Sequence, residues 1–578
     1  MKAFGQRKSD TAGMPSDRLA NATRLRDSNV HASRATSALA LAAGPAFLLI
    51  AGVVIYGSLA PIYAGVWGFD YDPAYIYLFN AAGMLRGYVP AHIDHPGTPL
   101  QSLAAGVIGG IWLVKDTIGR TNATFDISIL QDAEYYVAAI SVVLLLANCV
   151  ALAFLGLRVR RASGSTALAL AAQFSFLVGL AGTSADDHGA VDILLIHAVY
   201  LAPDALLIFA SIMMVALLAP SILLVPVIEN HVRVGIIAGA VAALGATAKI
   251  YFLPTALLLF LLPTRRSRRA AVLSMLVIAV ILLAPVYGEL LRWSQWLWAL
   301  VRHTGSYGEG DPGFIKLAAI PERSVALIKA TPIVFVAIAA CVLRLALVLH
   351  RRGSTVALGE AAVVNQRAAR CAIVLLTVLL IYVLMVLKHY GVRYMLPAAA
   401  IAGFALLCAG SAVGARKSHP WRWRAAAAGF AAVALASTGH LLARLQTARI
   451  ERDDAVRRIT AVVDAYPGAL TIGMYKVRDR RYAEQFGLEF VRPEYAARLT
   501  RGRGEEYGYN KWARMLYAPG RGHVPLAALN DVLTRGREVL MILPPYPYPP
   551  NIPAGLHGEI LSAKPGQERV VHITGLSK

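Results

Sequence analysis

The sequence predicts an α-helical polytopic membrane protein followed by a small C-terminal α/β soluble domain, and three observations carry that prediction. Of 578 residues, 57% are hydrophobic and 16% charged, with mean hydropathy +0.55, whereas an average soluble domain carries roughly 25% charge. Apolar runs near the ~20 residues that cross a ~30 Å hydrocarbon core recur through most of the chain. After Leu445 they stop, and charged, proline-bearing sequence follows to Lys578.

Eleven runs qualify: 38–62, 135–157, 165–184, 204–226, 233–248, 251–263, 270–288, 326–349, 370–387, 395–413 and 425–443. Four basic clusters lie between them, at Arg158–Arg161, Arg265–Arg269, His350–Arg352 and Arg416–Arg424, and lysine and arginine concentrate in cytoplasmic loops. With the N-terminus inside, eleven spans put all four clusters on the cytoplasmic side, provided that 99–114 does not cross. That segment is expected to be a juxtamembrane helix at the interface, with Trp112 and Lys115 at the headgroup boundary. The runs 233–248 and 251–263 are short and meet at Lys249, which predicts a short helical hairpin. A lysine buried there costs ~2.5–3.5 kcal/mol unless water or an anion reaches it.

The organisation that follows is a disordered cytoplasmic tail over 1–36, a transmembrane domain over 37–444 with an outer loop at 63–134, and an extracytoplasmic α/β domain over 445–578. The expected location is the inner (cytoplasmic) membrane, multi-pass. In the last domain, Ala455–Tyr466 reads as an amphipathic helix, Ala469–Met474 and Val539–Leu543 as buried strands, and Pro544–Pro553 as an extended, turn-rich segment. The net charge of +22 falls in the loop clusters, so it marks topology and implies no nucleic acid partner. Cys149, Cys341, Cys371 and Cys408 all lie in apolar segments, where cysteine behaves as a small hydrophobe.

The outer side collects the ionisable groups. Gly68–Leu100, GFDYDPAYIYLFNAAGMLRGYVPAHIDHPGTPL, holds three carboxylates and two histidines and cannot cross a bilayer. Asp70 and Asp72 share one side of an extended backbone. Such a pair can hold a divalent metal, Mg or Mn, or divide into a base and a helper. Asp94, His95, Asp186, Asp187, His188, Asp204 and His303 are further candidates for substrate or metal contact. Asp204 follows Ala202-Pro203 at the start of a span, where a carboxylate also suits a helix N-terminus. Lys249 and Arg393 pair a point charge with a planar fork, as phosphate binding requires, although Arg393 also fits an interfacial anchor. The glycine-rich loop Arg302–Asp311, with His303, can serve as a lid or acceptor contact or as an ordinary flexible loop. Trp293, Trp296 and Trp298 before it suit an interfacial belt, with sugar stacking as the other reading.

The ordered set Asp72-Pro-Ala-Tyr75, Gly87-Tyr-Val-Pro90, Asp94-His-Pro-Gly-Thr-Pro99, Ala202-Pro-Asp-Ala-Leu-Leu207, Gly245-Ala-Thr-Ala-Lys249 and Arg393-Tyr-Met-Leu-Pro397 resembles the multi-pass glycosyltransferases of the GT-C fold. Within these it is similar to the protein O-mannosyltransferase and lipid A aminoarabinose transferase-like group, over roughly residues 38–415. The resemblance implies a catalytic carboxylate at Asp72, two juxtamembrane helices after it (the second at 99–114), and a polyprenyl-phosphate sugar donor whose phosphate meets Lys249 and Arg393. Pro73 stands where many relatives carry a second acidic residue, and this leaves the division of labour between Asp70 and Asp72 open. The implied activity is sugar transfer to an extracytoplasmic glycan, lipid or protein acceptor, with inversion at the anomeric carbon. A transporter or flippase of a lipid-linked sugar is the competing class, and a non-catalytic receptor with an outer domain the third.

Overall fold

The computed structural model describes residues 40–59, 74–93, 97–119, 124–180, 183–185, 191–193, 195–198, 200–224, 230–302, 317–354, 360–388, 391–410, 420–474, 477, 480–501, 507–510, 514–544, 552–564 and 567–576. The expected tail at 1–36 and most of the turn-rich segment Pro544–Pro553 lie outside these residues.

Among the described residues, eight helices are long and apolar enough to cross a membrane: Ala133–Ser163, Pro203–Ile222, His231–Ala248, Arg265–Arg302, Pro332–His350, Asn365–Lys388, Val392–Ala409 and Trp421–Asp464. Four shorter apolar helices join them, at Ala43–Ser58, Ala74–Leu85, Thr166–Leu180 and Ile250–Leu261.

In chain order the helices are α1 (Ala43–Leu59), α2 (Ala74–Leu85), α3 (Thr98–Thr117), α4 (Phe125–Gln131), α5 (Ala133–Ser163) and α6 (Thr166–Leu180). A two-stranded hairpin, β1 (Thr183–Ala185) and β2 (Val191–Ile193), precedes α7 (Pro203–Ile222), α8 (His231–Ala248) and the largely 3₁₀ run α9 (Ile250–Leu261). Then come α10 (Arg265–Leu283), α11 (Leu290–Arg302), α12 (Ile320–Ala330), α13 (Pro332–Ser354), α14 (Glu360–Lys388), α15 (Leu396–Gly410) and α16 (Pro420–Asp464).

Backbone chemistry sets the breaks. Pro285 removes a donor and Val286 leaves helical geometry (φ −122°, ψ 19°), so α10 ends and α11 begins afresh. No residue of α11 is buried, and Arg302 lies 4.5 Å from the Trp298 ring. The run expected at 326–349 is divided: α12 stops at Ala330 and α13 starts at Pro332, whose missing N–H suits only a helix start. The segment expected at the interface, 99–114, is the body of α3, which is not among the eight.

Glycines let helices approach closely. A Cβ on Gly235 or Gly239 of α8 would overlap the carbonyl oxygens of Ser267 and Ala271 on α10. Gly179 of α6 meets Ala399 on α15, and Gly403 of α15 returns to Ser175. Small residues four apart are how apolar helices pack where burial gives no drive. Gly239→Leu should therefore cost about 1–3 kcal/mol by overpacking, read as a fall in the thermal midpoint of detergent-solubilised protein. Gly429→Leu, where a Cβ meets open space, should not lower that midpoint.

Polar side chains inside the bundle are bonded across helices. Asn148 donates to the carbonyls of Ala198 and Ala205 at 3.3 Å each, and Gln173 to those of Leu41 (3.0 Å) and Leu152 (3.1 Å). At one end, Arg158 donates to Ala216 (3.3 Å) and Arg370 to Leu262 (3.2 Å), while Arg344 reaches Ala409 (3.4 Å). Cys341, Cys371 and Cys408 line a small cavity at this basic end, and all four cysteines are buried and outside any disulfide.

The composition change at Leu445 is not a break in the backbone. α16 runs 45 residues without interruption, about 68 Å at 1.5 Å per residue, and delivers the chain into a mixed sheet. The remaining elements are β3 (Leu470–Met474), α17 (Arg480–Glu489), α18 (Pro493–Leu499), β4 (Tyr507–Asn510), β5 (Met515–Ala518), β6 (Gly522–Val524), α19 (Ala528–Thr534), β7 (Val539–Leu543), β8 (Leu556–Ser562) and β9 (Arg569–Leu576). The sheet order is β6-β5-β4-β3-β7-β9-β8, with β3 parallel to β4 and β7 and the other pairs antiparallel. Every residue of β7 is buried, as expected of a central strand. The sheet has its own apolar cores, whereas Ala483, Phe486, Leu488, Tyr495 and Leu499 of α17 and α18 belong to the core of the helical bundle.

Candidate functional site

Three separated sequence motifs meet in one buried cluster. Asp204 enters at the start of α7, after Ala202 and Pro203, and is fully buried. The N-cap is Ala202, so Asp204 stands one position inside the first turn, as an acidic group at a helix N-terminus. Its carboxylate accepts from Lys249 Nζ at 2.9 Å and from the Tyr251 hydroxyl at 2.5 Å.

Lys249 is the residue at which α8 ends. Its backbone is extended (φ −151°, ψ 129°), and the chain turns there into α9. The side chain has no solvent exposure, and the anion that offsets its burial is Asp204. His197 Nδ1 lies 3.8 Å from the same carboxylate. Arg393, 7% exposed, sits in the 3₁₀ turn that opens α15 and acts electrostatically on Asp204. Its guanidinium carbon is 5.3 Å from the Tyr394 ring, which stands edge-on to Tyr251 at 5.1 Å.

The bonds among these residues put the start of α7, the end of α8 and the start of α15 at one end of the bundle, opposite Arg158, Arg344 and Arg370. Tyr200, four residues before Asp204, accepts a 2.9 Å hydrogen bond at its hydroxyl from the amide of Ala74. The chain of the acidic first loop thus rejoins the described structure beside this cluster, two residues after Asp72.

Asp70, Asp72, Asp94, His95 and His303 lie outside the described residues. So do Asp186, Asp187 and His188, in the connection between β1 and β2. Of the sequence candidates, the structure therefore brings together Asp204, Lys249 and Arg393. Among the described residues, no group of three or more His, Cys, Asp or Glu side chains is gathered as metal ligands. Tyr251, His197 and Tyr200 were not singled out from sequence. Tyr251 stands two residues past Lys249 and could have been considered with it, whereas nothing local marks the two others.

A second polar group links α2, α4 and the C-terminal domain. Asp126 of α4 accepts from Arg86 (3.2 Å), Arg498 (2.6 Å) and the Tyr495 hydroxyl (3.4 Å). The Tyr75 hydroxyl donates to Glu134 at the start of α5, and Arg492 pairs with Glu289. In the sheet domain, Glu489 holds Asn510 and His523, the latter at 3.0 Å.

The bond from Glu489 raises the pKa of His523, against a smaller opposing effect of burial. A raised folded pKa means that stabilisation is fully present below the unfolded value of ~6.5 and is lost as pH rises through the folded pKa. Amide-exchange protection of β5 and β6 should therefore fall as pH is raised through that range, and His523→Gln should flatten the profile. Protection independent of pH in the unsubstituted chain would contradict this.

Comparison of the chain with protein-family models, with curated proteins and with solved structures finds no match.

Proposed function

We propose that the chain is an integral-membrane glycosyltransferase of GT-C type that moves a sugar from a polyprenyl-phosphate donor to an extracytoplasmic glycan, lipid or protein acceptor. The observation that carries this is the convergence of Asp204, Lys249 and Arg393, beside the point where the loop bearing Asp72 returns to the bundle. Two residues of chain reach about 7 Å at most, so Asp72 is tethered close to Ala74.

Counting the eight long helices with Ala43–Ser58, Thr166–Leu180 and Ile250–Leu261 gives eleven crossings. The basic end then faces the cytoplasm, and the Asp204–Lys249 end, with the sheet domain, faces outward. In this reading the lipid-linked sugar enters from the outer leaflet. Arg393, together with Lys249 held in place by Asp204, stabilises the negative charge on the departing phosphate. A preorganised donor in such a role contributes ~3–4 kcal/mol. Asp72 takes the proton from the acceptor hydroxyl, and direct displacement inverts the anomeric centre. α11, with three tryptophans and no buried residue, lies along the outer interface.

The broken helix at Lys249 also suits a transporter of the same lipid-linked sugar. Vesicles containing the purified chain and a sugar-labelled polyprenyl-phosphate donor separate the two. Transfer predicts loss of label from the polyprenyl phosphate when acceptor extract is added. Donor that changes leaflet while keeping its sugar would instead establish transport.

A further inference from the structure

We infer that the basic end of the bundle holds an anionic phospholipid, its phosphate seated between the first turns of α10 and the start of α14. The inference does not depend on the transferase reading. Four arginines, Arg265, Arg266, Arg268 and Arg269, crowd the first five residues of α10. The first turn there holds no acidic residue, and the backbone dipole already makes it positive, so these side chains work against the helix they begin. The capping box of Thr264 and Ser267 brings no negative charge; Ser267 N donates to Thr264 Oγ1 at 3.0 Å. From α14, Arg370 donates to the carbonyl of Leu262 at 3.2 Å, just before α10 begins. It stands close enough to Arg268 for the two guanidinium groups to repel each other. Arg367, one turn earlier on α14, is exposed. Among the described residues, no carboxylate pairs with any of these six arginines. Like charges held together by packing, with no counter-ion from the chain, are offset by an anion from outside it, and guanidinium forks match phosphate oxygens.

The surroundings select a lipid over a soluble anion. Side chains three, four and seven apart share a helix face. Beyond Arg265 and Arg269, the same face of α10 continues as Val272, Leu276 and Val280, each more than half exposed. Beyond Arg370, the same side of α14 continues as Ile373, Leu380 and Leu384, also exposed. α9 joins the two helices: its Thr255 is hydrogen-bonded to Tyr382 of α14 at 2.8 Å, its far end leads into α10, and its Phe260 is exposed. Each cationic group therefore stands at the end of an apolar stripe. This is the outline of a phospholipid, with the phosphate on the guanidinium groups at the membrane boundary and the acyl chains along the stripes. Basic pockets between membrane helices hold anionic headgroups in this way, and each arginine near such a headgroup raises affinity about fivefold.

The full chain in detergent micelles, titrated with phosphatidylglycerol or with phosphatidylcholine and read by native mass spectrometry, tests this. The parent chain should retain phosphatidylglycerol in preference to phosphatidylcholine. Arg268→Gln/Arg370→Gln should weaken retention of phosphatidylglycerol about fivefold for each residue replaced and leave that of phosphatidylcholine unchanged. Because Arg370 also braces the carbonyl of Leu262, Arg268→Gln/Arg367→Gln serves as a second variant, and it should show a comparable loss with an unchanged thermal midpoint. Arg160→Gln/Arg161→Gln removes the same charge from the same end, outside the site, and should retain phosphatidylglycerol as the parent does. Equal retention of the two lipids by the parent chain overturns the inference. So does equal weakening by the control and the site variants, which would mean diffuse attraction to the basic end. Competition by glycerol 3-phosphate as strong as by phosphatidylglycerol also overturns it, since the ligand would then be a soluble phosphate.

Discussion

Asp72→Asn is expected to lower the rate of sugar transfer by roughly 10² to 10⁴, the contribution of a positioned general base, with expression and membrane insertion unchanged. The substitution keeps the size of the side chain and its capacity for hydrogen bonds, and removes the proton acceptor. Asp70→Asn separates the two carboxylates: a smaller loss there identifies Asp70 as the helper, and an equal loss makes the pair a unit. The assay is transfer from a labelled polyprenyl-phosphate sugar in membranes carrying matched amounts of protein. Full activity of the Asp72 variant would remove that residue from the role.

Lys249→Met should produce the largest loss of stability. Lys249 and Asp204 are both fully buried and 2.9 Å apart, and removing one partner leaves the other as an uncompensated charge, at a cost of about 3–5 kcal/mol. The double variant Asp204→Leu/Lys249→Met removes both charges and should recover most of the thermal midpoint, because two apolar groups of similar volume satisfy the same space. On the proposed reading it should not recover transfer, since that reading gives Lys249 the donor phosphate to stabilise. A single variant as stable as the parent would show that water reaches the site and screens the charge. Recovery of transfer in the double variant would take Lys249 out of the chemistry.

The sequence conveyed what depends on local pattern. Apolar runs located the helices, the polarity of Lys249 marked the turn between α8 and α9, and β-rich apolar stretches marked β3 and β7. What depends on contacts far along the chain was not legible. Asn80 donates to the carbonyl of Phe490, 410 residues away, and nothing around either announces the other. The same holds for Asp126 and Arg498, and for Tyr75 and Glu134. Asp204 shows the limit within a motif: its place in the first turn of a helix is legible locally, whereas Lys249 and Tyr251, 45 and 47 residues on, are not. The change of composition at Leu445 falls inside one helix, Pro420–Asp464. The polar turns of α16 contain no proline or glycine after Gly439 to stop them, so the helix continues where the solvent preference of its side chains changes.

The measurement that bears most directly on the proposed activity is mass spectrometry of lipids and glycans from cells lacking the chain. A transferase predicts an acceptor complete except for one sugar, together with accumulation of the corresponding polyprenyl-phosphate sugar. An acceptor population identical to that of the parent cells, with the donor pool unchanged, would contradict it.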